Sequence, residues 1–388
     1  MSTKAKPVKV FISAGEASGD MHAAGVMKAL ENQYNDISVS AIAGPAMREV
    51  GCEVLYPMES LNVMGVGDVL KALPRIRRIG KDICDWAEHA QPDVAILVDF
   101  AGFNMRLGEK LRKLGIPVLY YIAPKLWAWG HWRVKRLQRA QDSLACILPF
   151  EPKWFAEKDI DAHYVGNPSA LACQHGWSQE QLKQKLGISV ETPLLALLPG
   201  SRRSELTIHA GLLAEAYVRI KEQFPALVAV TTRAPGVTDL QLKPLLDAGV
   251  QVLDRLDDDY ALRADAAIAV SGTATLELAL WNVPTVLVYK SSAFTIWLAR
   301  KLVGTTCAGL ANILLDDKPV MPELIQEQAT LDAMLKEVLP LLKKEDAAIQ
   351  QQSSFDVLRQ RLGQSNPSEA AATMALQMAL QGAVKKKS

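Results

Sequence analysis

Leu194-Leu195-Ala196-Leu197-Leu198-Pro199-Gly200-Ser201-Arg202-Arg203-Ser204-Glu205 decides how the chain is built. Five apolar residues in a row, with no polar alternation, read as a strand buried on both faces. The run ends in a Pro-Gly-Ser turn and opens into a helical stretch. Strand, turn and helix in that order make the repeating unit of a parallel sheet with helical crossovers. The unit recurs downstream at Leu227–Thr231, Val250–Leu253, Ala266–Val270 and Pro284–Tyr289, and upstream at Val8–Ser13, Ser38–Ala43, Val94–Asp99 and Pro117–Ile122. Gly166-Asn167-Pro168, after His163-Tyr164-Val165, reads as the linker between the two sets. The expected fold class is α/β: two doubly wound, Rossmann-like parallel-sheet domains, 1–166 and 167–345, facing a cleft. Helices over 346–388 are expected to pack back towards the first domain, with a frayed basic end, Lys385-Lys386-Lys387-Ser388. Ligands of open parallel sheets bind beyond the carboxyl ends of the strands, so the strand-end loops are where chemistry is sought.

Composition narrows the field. Of 388 residues, 43 are Lys or Arg and 42 Asp or Glu, a net charge of +1, which argues against a general electrostatic binder of nucleic acid. A hydrophobic fraction of 49% is that of a globular protein. No apolar run approaches the roughly 18 residues of a membrane span. The N-terminal apolar stretch contains Lys9 and runs into Gly15-Glu16, unlike a signal peptide. Cys52, Cys84, Cys146, Cys173 and Cys307 are scattered and form no Cys-x-x-Cys pair, which points to a reducing compartment without a disulfide framework or zinc site.

Two loops of the second half suit an anion. Gly200 allows close backbone approach, Ser201 starts the turn towards a helix N-terminus, and Arg202 or Arg203 offers a forked cation for phosphate. Ser271-Gly272-Thr273-Ala274-Thr275-Leu276-Glu277 repeats the arrangement after Ala266–Val270. Its small residues and hydroxyls suit a diphosphate, and Glu277, one turn beyond Thr273, can accept from ribose hydroxyls. The bland alternatives are an ordinary turn and a capped helix. Gly15-Glu16-Ala17-Ser18-Gly19-Asp20 has the opposite sign: Glu16 and Asp20 would repel a diphosphate, whereas Ser18 and the carboxylates suit sugar hydroxyls, or cap the helix. Asp99 closes a buried strand and reads as a general base or an N-cap, with Gly102 and Asn104 close behind.

Trp127, Trp129 and Trp132 stand among Lys125, His131, Arg133, Lys135, Arg136 and Arg139. That mixture fits a sugar, an acyl chain, a phosphate or single-stranded nucleic acid, or tryptophans in a core beside a solvated basic helix. Over Leu61–Lys81, helical periodicity gathers Val63, Val66, Val69, Leu70, Leu73 and Ile76 on one side and Lys71, Arg75 and Arg78 on another. This reads as a membrane-surface element or as a core-facing helix with a wet basic side. Gly65 and Gly67 weaken a single helix, and Pro74 is expected to start a second piece. Asp257-Asp258-Asp259 has the charge to bind a cation, but capping of a helix at Tyr260-Ala261-Leu262 is the preferred reading, and no metal is expected.

The ordered set Gly15-Glu16-Ala17-Ser18-Gly19-Asp20, Ala43-Gly44-Pro45, Val63-Met64-Gly65, Trp127-Ala128-Trp129, Leu198-Pro199-Gly200-Ser201-Arg202, Ser271–Glu277, and Asn312 with Pro322-Glu323-Leu324 resembles the lipid-A-disaccharide synthase family of inverting glycosyltransferases with the GT-B fold. The resemblance implies a first domain that takes the acceptor and faces the membrane, and a second that binds the UDP-sugar. UDP-2,3-diacylglucosamine and 2,3-diacylglucosamine 1-phosphate would give a β-1,6 lipid A disaccharide 1-phosphate and UDP, without metal or cofactor. It further implies Asp99 as the base. Gly200, Ser201, Arg202, Ser271, Gly272, Thr273, Glu277 and Asn312 fall on the nucleotide. Glu16, Ser18, Trp127, Trp129 and Arg133 fall on the sugars and acceptor. Val63, Met64 and the apolar side of Leu61–Lys81 lie beside the acyl chains. The implied partners are acylated sugars and a membrane surface, met peripherally on the cytoplasmic face of a Gram-negative inner membrane, with no nucleic acid; a homo-oligomer is left open.

The chain departs from the family at Ala101-Gly102, where Pro and often a second acid stand, which leaves Asp99 the sole base candidate there. It departs again at Asn167, where the family often has His, and around His131. Rival readings are a GT-B enzyme with a soluble substrate, such as a UDP-sugar epimerase, a non-catalytic lipid- or nucleotide-binding module, and a single-strand RNA binder.

Overall fold

Val8–Ala14 (β1), Ile37–Ala43 (β2), Glu53–Pro57 (β3), Val94–Val98 (β4), Val118–Tyr121 (β5), Ser143–Cys146 (β6) and Ala162–Tyr164 (β7) form one sheet of order β3-β2-β1-β4-β5-β6-β7. Every pairing in it is parallel. The computed structural model describes residues 7–61, 66–234, 236–254, 260–291 and 305–385. Leu194–Leu198 (β8), Val228–Arg233 (β9), Gln251–Asp254 (β10), Ala266–Val270 (β11), Thr285–Tyr289 (β12) and Glu323–Ile325 (β13) form a second parallel sheet, of order β10-β9-β8-β11-β12-β13. The chain divides into two compact units, Met1–Pro168 with Gln364–Ser388, and Ser169–Gly363.

The topology explains where loops gather. In the first sheet the order reverses between β1 and β4, and in the second between β8 and β11. At such a switch point the two strand-end loops diverge and leave a crevice. The register pairs Ala14 with Val98, so the chain leaves the sheet at Gly15 and at Asp99 side by side. In the second sheet Leu198 pairs with Ala269, which sets the Gly200 loop beside Ser271. The central strands β4, β8 and β11 are buried along their whole length. That burial is why they read as unbroken apolar runs.

Two expectations change. The segment 346–388 divides at Gly363. Helix Asp346–Leu362 stays with the second unit, where the buried Gln351 accepts from the Thr285 N–H at 2.8 Å and Arg359 donates to the Ala279 and Leu280 carbonyls. Only helix Pro367–Lys385 joins the first unit. Its Ala371, Ala372, Ala375 and Ala379 pack with Ala23, Ala24 and Met27 of helix Ala17–Gln33, since short side chains let the two backbones approach.

Pro74 does not open a new piece either: Val66–Ala90 is one helix with Pro74 inside it. Ala72, Ile79, Ile83 and Ala87 are buried along it, and Ile76 packs half-buried against the same core. Ile76 therefore belongs to the core-facing stripe rather than to an outer apolar side; Leu73 is half-buried. Val63 and Met64, the side chains of Val66, Val69 and Leu70, and Asp257–Asp259 lie outside the described residues. Among the described residues no helix is long and apolar enough to cross a membrane.

Candidate active site

Asp99 leaves β4 with φ of 44°, and Phe100 follows with φ of 46°. Two consecutive non-glycine residues in the left-handed region cost about 1–3 kcal/mol each and persist only where the surroundings over-determine them. The surroundings are specific. Tyr120, fully buried on β5, donates its hydroxyl to the Asp99 carbonyl at 2.7 Å. Asn104, also fully buried, donates Nδ2 to the Val98 and Asp99 carbonyls at 3.0 Å each, and its Oδ1 accepts from Ser13 Oγ at 2.8 Å. Gly15 makes room for the turn, because a Cβ there would fall inside the Phe100 ring.

The Asp99 carboxyl is half-buried. Burial, and then the Glu16 carboxylate, push it above the ordinary carboxylate range, while the Phe100 N–H and the Lys125 ammonium pull it back. Glu16, at the end of the neighbouring loop, and Ser18, in the first turn of helix Ala17–Gln33, are exposed. Asp20 is buried instead: its carboxylate accepts from the Gly44, Ala46 and Met47 N–H groups at 2.8, 2.8 and 3.3 Å. It thus caps helix Pro45–Val50, a role a sugar-facing acid cannot share.

The tryptophans separate. Trp127 is 6% exposed, donates its indole N–H to Glu151 at 2.9 Å and meets Phe150 edge-on. It cannot line a sugar, contrary to expectation, because its polar edge is spent inside the core. Trp129 is 50% exposed, with the Arg133 guanidinium 6.0 Å from its ring, and Trp132 is 67% exposed. Glu151 went unsuspected in the sequence, as did Lys125 as a neighbour of Asp99 and Tyr120 as its support. The signal for Glu151 was slight: a lone acid just after Pro149-Phe150, 24 residues from its partner.

In the second unit, Gly200 has φ of 101°, the backbone that favours glycine. The Ser201 and Arg202 N–H groups, expected to be free for phosphate, both donate to Glu205 Oε2, at 3.0 and 3.2 Å. Glu205 reaches back as the third residue of helix Arg203–Gln223, the Glu half of a capping box, with Arg202 standing where Ser or Thr would and offering no acceptor. The Arg202 guanidinium meets Glu205 at 3.2 Å and is 81% exposed, so this loop offers a ligand its cation more than its amides.

The Ser271 hydroxyl donates to the Ala308 carbonyl at 2.9 Å. Gly272 precedes helix Thr273–Leu280, whose first N–H groups have no partner within the helix, and Glu277 lies half-buried one turn in. Asn312 is fully buried and cannot touch a nucleotide. Its Nδ2 donates to the Met321 carbonyl and to Glu323, and its Oδ1 accepts from the Met321 N–H. Glu323 in turn accepts from the Ala308 and Gly309 N–H groups at 2.8 and 2.9 Å. Asn312 therefore shapes the loop on which Ser271 rests. Among the described residues no three His, Cys, Asp or Glu side chains gather as a metal site.

The family model described as lipid-A-disaccharide synthetase matches residues 10–378. The chain belongs to that family. It is 34% identical over 385 residues to the lipid-A-disaccharide synthase of Myxococcus xanthus, covering 97% of this chain and 99% of the relative. It is 36% identical over 378 residues to that of Trichlorobacter lovleyi, covering 96% and 98%. In fold, this synthetase-family chain is similar to a putative UDP-N-acetylglucosamine 2-epimerase from Listeria monocytogenes, with TM-score 0.65, 12% identity and 98% of each chain covered. It is also similar to MurG of Acinetobacter baumannii, with TM-score 0.57, 16% identity, and 96% and 100% covered. At those identities the likeness speaks of the fold alone, which is the GT-B arrangement of two parallel-sheet α/β domains.

Proposed function

We propose that this chain transfers the sugar of UDP-2,3-diacylglucosamine to the 6-hydroxyl of 2,3-diacylglucosamine 1-phosphate, giving the β-1,6 lipid A disaccharide 1-phosphate and UDP. Family membership supports the reaction, and the single observation that carries the site is Asp99, held at the switch point of the first sheet with its carboxyl half-buried. As the 6-hydroxyl oxygen attacks the anomeric carbon, the Asp99 carboxylate takes its proton. Such a base contributes about 10²–10⁴ in rate. Attack from the face opposite the diphosphate inverts the anomeric centre. Glu16 and Ser18, exposed beside Asp99, hold sugar hydroxyls, with Arg133 and Trp129 on the acceptor side.

The negative charge that develops on UDP is met by Arg202 and by the first N–H groups of helix Thr273–Leu280, beside Ser271 and Gly272, with Glu277 on the ribose. A helix terminus supplies about 0.3–1 kcal/mol, too little alone, so the Arg202 guanidinium carries the larger share. No metal ion is needed in this scheme. The protein acts peripherally, on the cytoplasmic face of the inner membrane, and takes its acylated substrates there.

The test is a mass-spectrometric assay with both diacylated substrates, with and without chelator. Disaccharide and UDP are expected in equal amounts in both conditions. UDP without disaccharide would overturn the transfer, and loss of activity with chelator would overturn the metal-free scheme. Near-normal turnover in Asp99→Ala would remove the base.

A further inference from the structure

We infer that Asn104 and Tyr120 are positioning residues for the reaction: their two buried donors converge on the main-chain carbonyl of Asp99 and hold the Asp99–Phe100 peptide in the left-handed turn that presents the carboxylate. The inference rests on Asp99 as the base.

Asn104 stands in the first turn of helix Ala101–Lys113, where a capping residue would accept from N–H groups. It does the reverse. Its Nδ2 donates to carbonyls of residues 98 and 99, outside the helix. Three carbonyl oxygens lie within 3.4 Å of that nitrogen, and the Ser13 hydroxyl donates to Oδ1, so the amide has one orientation that satisfies all its partners. The Tyr120 hydroxyl comes from another strand and has the same target. Two donors on one oxygen, from a helix and from β5, leave the peptide no route to the extended backbone without burying an unsatisfied carbonyl. A helix start needs none of this. The clamp acts on the backbone and takes no bond from the carboxylate, whose main-chain partner is the Phe100 N–H.

Tyr120→Phe removes one donor without changing the packing, and Asn104→Ala removes the other. Both are compared with Asp99→Asn in the full chain, with both diacylated substrates, across pH. Displacing a reacting group by a fraction of an ångström costs on the order of 10- to 100-fold in rate, and that fall is expected in kcat for Tyr120→Phe, with both KM values unchanged. The acid limb of the kcat profile is expected to move to lower pH, because a released carboxylate turns to water and away from its burial. The groups that face Asp99 are Glu16, Lys125 and Tyr120, with Arg133 beyond Tyr120, and all are unchanged in charge at neutral pH by this substitution. If Asn104→Ala does not fold, Tyr120→Phe decides alone. Inactive Asp99→Asn together with unaltered kcat in Tyr120→Phe overturns the clamp and leaves the base standing, as does a fall in kcat with an unmoved acid limb. Retained turnover in Asp99→Asn overturns the base itself, and the clamp with it.

Discussion

Trp127 donates its indole N–H to Glu151 at 2.9 Å, and both side chains are buried. Burial pushes the Glu151 carboxyl up to about 7, against the pull of the Trp127 indole, the Leu148 and Ile147 N–H groups and Lys125. The folded state therefore holds its proton more tightly than the unfolded chain, where the ordinary value is 4.5. By linkage, this group's contribution is fully present below pH 4.5 and is lost as pH rises through about 7. The loss is on the order of a few kcal/mol. Denaturant unfolding at a series of pH values is expected to show a downward slope over that window, and Glu151→Gln is expected to flatten it. An equal slope in the variant would contradict the assignment.

Asp20 makes a second structural claim testable. Its carboxylate takes three main-chain N–H groups of the turn and helix after β2, so Asp20→Ala leaves buried donors unpaired. The expected loss is about 1–3 kcal/mol of stability, seen as a lower denaturant midpoint at constant slope. The KM values should be unchanged in whatever fraction folds, because Asp20 faces backbone and not sugar. A raised acceptor KM at full stability would return Asp20 to the sugar side.

What the sequence disclosed follows from which residues carry their own context. Val94–Val98, Leu194–Leu198 and Ala266–Val270 are apolar on every residue because their strands are covered on both faces. Asp99 was legible for the same reason, since a polar residue closing such a run sits at a strand's carboxyl end. Trp127 and Trp129 were not separable: they share a motif, and their opposite fates depend on Glu151, distant in sequence. Asn312 was placed on the nucleotide only by the family resemblance, yet Met321 and Glu323 use up its amide. Glu205 was visible as the last residue of the opening stretch, but Arg202 stands where a capping box has Ser or Thr, so the reach of Glu205 back to the loop N–H groups was not legible. Gly363 ends helix Asp346–Leu362, but nothing local says that the next helix joins the other unit. That depends on the small-residue surface of helix Ala17–Gln33.

Arg202 is expected to govern the donor and not the acceptor. Its guanidinium is exposed and meets Glu205, and hydrogen bonds to a charged partner contribute about 1.5–3 kcal/mol. Arg202→Ala should weaken UDP binding by about 10- to 100-fold, measured by calorimetry, with the acceptor KM unchanged. Arg202→Lys should recover only part, because an ammonium lacks the planar fork. Undiminished UDP affinity in Arg202→Ala would move the diphosphate away from this loop.

Glu16 and Lys125 pull the Asp99 carboxyl in opposite directions, Glu16 upward and Lys125 downward. A general base works only when deprotonated, so kcat should fall as pH drops through the Asp99 value, which lies above the ordinary 3.8. Removing the Glu16 charge, in Glu16→Gln, takes away the repulsion that favours the protonated form. The acid limb should then move to lower pH. Lys125→Met removes an attraction that favours the carboxylate, and its limb should move to higher pH. Each displacement should be under about one pH unit, since both partners lie at an exposed surface where water and salt screen the charge. The two shifts are read from kcat–pH profiles of otherwise identical preparations, and their opposite signs are the discriminating feature. A change in stability alone would move both variants the same way. Parallel shifts, or none, would mean that the group limiting catalysis at low pH is not the carboxyl between Glu16 and Lys125.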